Sequence, residues 1–260
     1  MKRLIGNTDI VFIRLDTLRY DAAQQAWQER RLQTLAPYLG KRGWEKRHTP
    51  GNFTYAAHHA FFAGFLPTPP GPGPHPRLFA AEFAGSLSTA ENTFVFKEAT
   101  LPEALAARNY RTICIGGTGF FNQQNELARV LPGLFSEAHW SPDLGVACRN
   151  SADNQIARAI RSVGDAAGRR VFLFINISAI HQPNWFYGAD QGPDTLATHT
   201  AALVAVDHAL QPLFQRLKQR APTFAIVCSD HGHAYGEDGY FGHRVGHEVV
   251  WNVPYADFML

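Results

Sequence analysis

Thr223-Phe224-Ala225-Ile226-Val227-Cys228-Ser229-Asp230-His231-Gly232-His233 decides the reading of the fold. The apolar run Phe224 to Cys228 stops at a serine, a carboxylate, an imidazole and a glycine. The pattern predicts a buried strand that ends by presenting Asp230 and His231 side by side, with Gly232 turning the backbone away. In open α/β sheets, chemistry gathers beyond the carboxyl ends of the strands. An Asp-His pair in that position offers one oxygen and one nitrogen ligand to a divalent ion. Read alone, the same pair also fits a surface turn.

Working outward, other apolar runs end in the same way. Asp9 to Arg14 predicts a first strand leading to Asp16, a residue that equally suits a helix N-cap. Asn109 to Ile115 predicts a strand ending in Gly116-Gly117. Val171 to Ile177 is the most hydrophobic stretch, expected to be central and covered on both faces, and it leads to His181. Between these runs fall helical patterns at Ala22–Leu39 (broken at Pro37 and Gly40), Ala56–Ala63 (ended by Gly64), Ala104–Arg108 behind a Thr100/Glu103 capping box, and Ala152–Val163. A long helix is expected over Thr195–Lys218, kinked or split at Pro212, with Asp207-His208 in a structural role. This rhythm predicts an α/β fold: a mostly parallel central sheet with helices on both faces, in one domain over residues 1–260.

In such a sheet the ends carrying Asp16, Gly116-Gly117, His181 and Asp230-His231 lie along one edge. Thr54 is expected at or just before a helix N-terminus, where amide groups and the helix dipole favour an anion; its hydroxyl suits a cap or a nucleophile. The loop after Asp230 carries Gly236-Glu237, His243, Arg244 and His247. Two carboxylates, several histidines and this threonine predict a divalent metal site, with Zn and Mn both compatible with the ligands.

Composition sets the limits. The chain has 260 residues, 45% hydrophobic and 18% charged, with a formal charge of +2, and no basic run long enough to follow a phosphate backbone. We expect no nucleic-acid partner and no membrane partner. Lys41 to Arg47 reads as a solvated basic loop, and Thr68 to Pro76 as a stiff proline-rich loop. Cys114, Cys148 and Cys228 fit neither a disulfide framework nor a zinc knuckle, so a reduced, cytoplasmic compartment is expected.

These residues resemble the alkaline phosphatase-like superfamily, in particular its sulfatase and phosphoethanolamine-transferase branches. Leu15-Asp16-Thr17-Leu18-Arg19-Tyr20-Asp21 resembles its opening motif, Thr54 to Pro67 its nucleophile segment, and Leu101 to Arg111 an internal segment. His181-Gln182-Pro183 is similar to its HxP motif, and Ser229-Asp230-His231-Gly232 with Gly236-Glu237, Gly242-His243 and Val253-Pro254 to its closing run. The resemblance implies a metal held by Asp16, Thr54, Asp230 and His231. It implies catalytic roles for Thr54, His181 and His243, with His58, His181, His243, His247 and Arg244 as candidates for a second metal or for substrate. It further implies a hydrolase of a small-molecule phosphate mono- or diester that works through a phosphothreonine. A phosphotransferase or mutase, a sulfoester hydrolase and a silent metal- or phosphate-binding module are the alternatives. Cys-x-Pro-x-Arg is absent, which argues against a formylglycine sulfatase, and Ile177 occupies the position of an acidic second-metal ligand.

Overall fold

The computed structural model describes residues 3–64, 77–80, 93–95, 98–166, 168–188 and 191–260. The expected loop Thr68–Pro76 lies outside them. The chain runs β1 (Asp9–Leu15), α1 (Tyr20–Gln28), β2 (Glu45–His48), α2 (Thr54–Ala63), β3 (Arg77–Ala80), β4 (Thr93–Val95), α3 (Leu101–Ala106), β5 (Arg111–Ile115), α4 (Glu126–Val130), β6 (Glu137–His139), α5 (Ser151–Gly164), β7 (Val171–Ile177), α6 (Leu196–Arg220), β8 (Thr223–Cys228), β9 (Ala234–Tyr235), β10 (Phe241–Gly242), α7 (Glu248–Trp251) and β11 (Asn252–Met259).

A seven-stranded sheet has the order β2-β11-β8-β1-β7-β5-β6. Pairings among β8, β1, β7, β5 and β6 are parallel, and β11 is antiparallel to both β8 and β2. The mostly parallel sheet is as expected, and β7 is central, with all seven residues buried. Strand alternation splits the interior into two cores. Val11, Ile13, Leu15, Leu173 and Ile175 pack with Ile156, Val206, Leu210 and Leu213 of α5 and α6. Ile10, Phe12, Phe172 and Phe174 form an aromatic core on the opposite face with Phe62, Leu105, Phe121 and Phe135. With apolar side chains buried on both faces, Ile10–Ile13 of β1 and Val171–Ile175 of β7 read in sequence as continuous apolar runs.

Three expectations are corrected. The helix predicted over Ala22–Leu39 ends at Gln28, where Arg30 turns the chain at φ 58°. Asp207 then holds the following turn: its carboxylate accepts from the backbone N–H groups of Gln33 (2.7 Å), Thr34 (2.9 Å) and Leu35 (2.9 Å). Asp207 is thus the clamp between α6 and that turn, and Asp207→Ala should lower stability by roughly 2–4 kcal/mol, because three donors lose a charged acceptor. Urea unfolding checks this, and a change under about 0.5 kcal/mol would mean that water replaces the clamp.

The second correction concerns Pro212, which neither splits nor ends α6. It lies on the exposed side of the helix, where solvent can satisfy the carbonyl left without its donor. Third, the basic side chains of Lys41–Arg47 are solvated as expected, but the stretch is not a plain solvated loop: Trp44 is buried in the core, and Glu45 to His48 form edge strand β2 against β11.

Candidate metal centre

The parallel strands bring their carboxyl ends to one edge, and the predicted residues meet there. Asp16 leaves β1 with its backbone N–H on the Ile177 carbonyl (3.1 Å), which extends the β1–β7 ladder by one step. Thr17 then adopts φ 63° although it is β-branched and fully buried. A conformation of this kind costs about 1–3 kcal/mol. It is held by the Thr17 N–H, which donates to Asp230 Oδ1 at 3.2 Å. The β1 and β8 exits are therefore tied at the residues that carry the two carboxylates. Asp16 does not act as the N-cap of α1, a position taken by Arg19.

Thr54 is the first residue of α2, and Phe53 is the N-cap without a side-chain cap bond. The threonine hydroxyl is therefore not spent on capping. Its Oγ1 lies 3.3 Å from His231 Nε2 and 3.5 Å from Asp16 Oδ2. Gly64 ends the helix at φ 74°, as its sequence position predicts.

His231 Nδ1–H donates to the Gly232 carbonyl at 2.9 Å, which leaves Nε2 as the free lone pair. That nitrogen lies 3.5 Å from Asp230 Oδ2 and 3.9 Å from Asp16 Oδ1. Asp16, Asp230 and His231 are 0% exposed and place one ligand atom each within 4.8 Å of one another. Asp16 Oδ1 and Asp230 Oδ2 have no hydrogen-bond donor. Two buried, orphaned carboxylate oxygens converging with an imidazole nitrogen fit a divalent cation. Without compensation, burial of this kind is costly.

Electrostatics set the two carboxylates apart. Burial, with Asp230 beside it, pushes the Asp16 carboxyl well above the usual carboxylate range, against the hydrogen bonds from Asn176 and Thr54. Burial also pushes Asp230 up, but His231, His58 and Arg14 outweigh it and hold that carboxyl below its ordinary value.

The other predicted residues lie at different distances from the centre. The His181 and His243 rings are near it. The His243 ring lies 4.7 Å from that of His231 and 5.7 Å from that of His181. Burial, with neighbouring imidazoles, lowers His243 to about 3 and shifts His181 the same way. His58 sits behind the centre: its Nδ1–H donates to the Thr54 carbonyl (2.7 Å) and lies 3.7 Å from Asp230 Oδ2. The rest of its ring is enclosed by Phe61, Phe62, Phe121 and Phe174, and burial lowers it to about 4. Arg244 lies beside the start of α2, its guanidinium 5.3 Å from the Phe53 ring centre and its backbone N–H donating to the Asn52 carbonyl. His247 is engaged elsewhere, accepting from Val249 N to cap α7 and facing Asp238 at 3.1 Å.

Sequence reading missed Asn176 and His233. Asn176 Nδ2 donates to Asp16 Oδ2 at 2.9 Å while its Oδ1 accepts from Thr118 N, so it fixes the carboxylate's orientation. The available signal was a lone amide at the end of the most apolar strand. The His233 ring lies 5.8 Å from His243, and both rings have a buried Nδ1 without a partner. Its signal was its place two residues after His231, on the same side of an extended segment. Arg19, 3% exposed, donates to Asp21 and Glu237 and ties the β1 exit to the loop that carries His243.

The family model described as Sulfatase matches residues 8–255. No curated protein sequence matches the chain. The integral membrane protein lipooligosaccharide phosphoethanolamine transferase A from Neisseria meningitidis is 14% identical, with a TM-score of 0.65 over 97% of this chain and 48% of its own. This chain thus spans about half of that protein. The C-terminal periplasmic domain of EptC from Escherichia coli, solved in complex with Zn, is 10% identical with a TM-score of 0.65, over 97% and 73% of the two chains. A protein of the alkaline phosphatase superfamily from Vibrio parahaemolyticus is 16% identical with a TM-score of 0.59, over 97% and 60%. The fold is alkaline phosphatase-like. Among the described residues, no helix is long and apolar enough to cross a membrane.

Proposed function

Because this chain belongs to the sulfatase family, we propose that it is a divalent-metal-dependent hydrolase of small phosphate mono- or diesters that acts through Thr54. The observation that carries this reading is the Thr54 hydroxyl, buried and free of capping duty, 3.3 Å from the open nitrogen of His231 and beside two orphaned carboxylate oxygens. Asp16, Thr54, Asp230 and His231 would hold the metal. When bound, the ion supplies Lewis acidity, lowering the energy of the threonine alkoxide and drawing charge from the phosphoryl oxygens. The O, O, O, N donor set suits Zn and Mn alike.

The chain's own residues do the rest. The Thr54 hydroxyl gives its proton to water, Oγ1 attacks phosphorus, the bond to the leaving oxygen breaks and that oxygen takes a proton from water, and the phosphoryl group rests on Thr54 until water removes it. The amide groups at the start of α2 face the phosphoryl oxygens that this attack brings close. The lowered His181 and His243 are neutral imidazoles at neutral pH, which favours N–H donation to a non-bridging oxygen over general-acid duty from an imidazolium. Arg244, beside α2, supplies a positive charge for the substrate anion.

The likeness to a phosphoethanolamine transferase supports a second reading, in which an acceptor other than water takes the phosphoryl group. The family's description keeps a sulfoester substrate as a third. Cys114, Cys148 and Cys228 are all free thiols, which supports the cytoplasmic reading. The test is acid quenching of the Zn- or Mn-loaded chain during turnover of an aryl phosphate, followed by peptide mass spectrometry. A phosphoryl adduct on Thr54 is expected. Turnover with the adduct on another residue, or with none after rapid quench, would overturn the covalent route.

A further inference from the structure

Arg14 is the chain's anomalous cation. It lies on β1 in the aromatic core face, 3% exposed, and makes no ion pair among the described residues. Phe12 and Phe61 face its guanidinium carbon, with ring centres at 4.1 and 3.4 Å. Only Nη1 is engaged, with Cys228 Sγ and the Ser229 carbonyl. Among the described residues neither Nε nor Nη2 donates to a partner; Nε is shut off from solvent, which leaves Nη2 as the side of the cation with donors to spare. Asp230 acts on Arg14 from beyond hydrogen-bond range. Cys228 and Tyr255 act in the same direction, and a cation held at Asp16 and Asp230 would weaken the share that comes from Asp230.

Arg14 lines a cavity of about 410 Å³ that none of Asp16, Thr54, Asp230 or His231 lines. Its walls are mainly apolar, from Phe12, Phe61, Ile226, Val253 and Tyr255, and the exposed Arg47 at its rim is paired with Glu45, which leaves Arg14 as the cation in its lining without an ion pair. The volume lies within the range of small-molecule sites, and a few fixed polar groups in apolar walls are their usual composition. A buried charge without a partner is costly unless something supplies one.

We propose that this cavity, on the aromatic face of the sheet beneath β8, is a second ligand site for a small amphiphilic anion. A carboxylate or phosphate-type head sits on the Nη2 side of Arg14, and an apolar body lies against Phe61, Ile226 and Tyr255. The site is separate from the metal centre, although Arg14 also contacts Ser229, the residue before Asp230.

The test is calorimetric titration of the full chain with octanoate, octylphosphonate and octanol. EDTA is present so that no metal holds the anions at the other site. Saturable binding of one anion per chain, with octanol at least tenfold weaker, is expected. Octanoate alone, octylphosphonate alone or both would each support the site and identify its head group. Arg14→Met should weaken binding at least tenfold, and Ile226→Trp, which fills the cavity and leaves the cation in place, should do the same. The second variant keeps the test open if the first does not fold. No saturable anion binding to the wild-type chain, octanol binding as tightly as the anions, or wild-type affinity in a folded variant would overturn the proposal.

Discussion

Thr54→Ala is expected to lower turnover of the best ester substrate by at least about a thousandfold, since it removes the nucleophile of a covalent route. The fold should be unaffected, with a melting point within about 2 °C of wild type. Ordinarily, replacing a threonine at the start of a helix with alanine removes a cap and costs roughly 1 kcal/mol. Here the hydroxyl does not cap, since the N-cap is Phe53, and alanine is the better helix former. Stability and activity therefore separate cleanly at this residue. Thr54→Ser, which keeps the oxygen, should recover part of the turnover. The measurement is kcat on metal-loaded protein beside a thermal scan. If Thr54→Ala kept more than about a tenth of wild-type kcat, the threonine would be a metal or substrate contact only.

Asp230→Asn should abolish stoichiometric divalent metal. The amide can still accept from the N–H groups of Thr17 and His231, which Oδ1 receives at 3.2 and 3.0 Å, so the strained turn keeps its anchor. What is lost is the charge at Oδ2, which faces His231 Nε2. We expect at least a hundredfold loss of metal affinity, about 2.7 kcal/mol. In EDTA the variant's stability should stay within about 1–2 kcal/mol of wild type, because relief of the repulsion that pushes Asp16 up is opposed by loss of the attraction from His231, His58 and Arg14 that holds Asp230 down. Elemental analysis of the metal-replete protein and a chelator competition check the first part, and urea unfolding the second. Unchanged metal content in Asp230→Asn would move the site away from this corner. Two ions per wild-type chain would implicate His181, His233 and His243 in a second position.

Much of this centre was legible because buried parallel strands leave a plain trace. A strand covered on both faces is largely apolar, so the polar residues that follow its apolar run mark the sheet edge, as around Asp16 and at Ser229-Asp230. The residues that escaped are those whose role depends on partners far along the chain. Asn176 is meaningful only because β1 lies next to β7 and puts Asp16 within its reach. Arg14 reads in sequence as the polar end of a strand, and nothing local reveals that Phe61 and Cys228 close over it. The early end of α1 was hidden for the same reason. Gln28 to Leu39 contains no strong breaker before Pro37, and the carboxylate that holds the turn comes from Asp207 on a distant helix.

Gly232 has a consequence for how such a chain can diversify. A side chain there would begin 1.9 Å from the Val249 carbonyl oxygen, and the Gly232 N–H is bonded to Val250 at 2.8 Å. The segment between them, which carries His233, His243 and Arg244, is therefore a closed excursion whose two feet are fastened together beside the metal ligands. Changes within such a loop need not propagate into its feet. Substitutions or insertions between Ala234 and Gly246 that spare Glu237, the partner of Arg19 at the β1 exit, are expected to revise the groups around His243 while Asp230 and His231 stay in place. On the proposed function, selectivity and metal affinity are then separable traits, open to change one at a time.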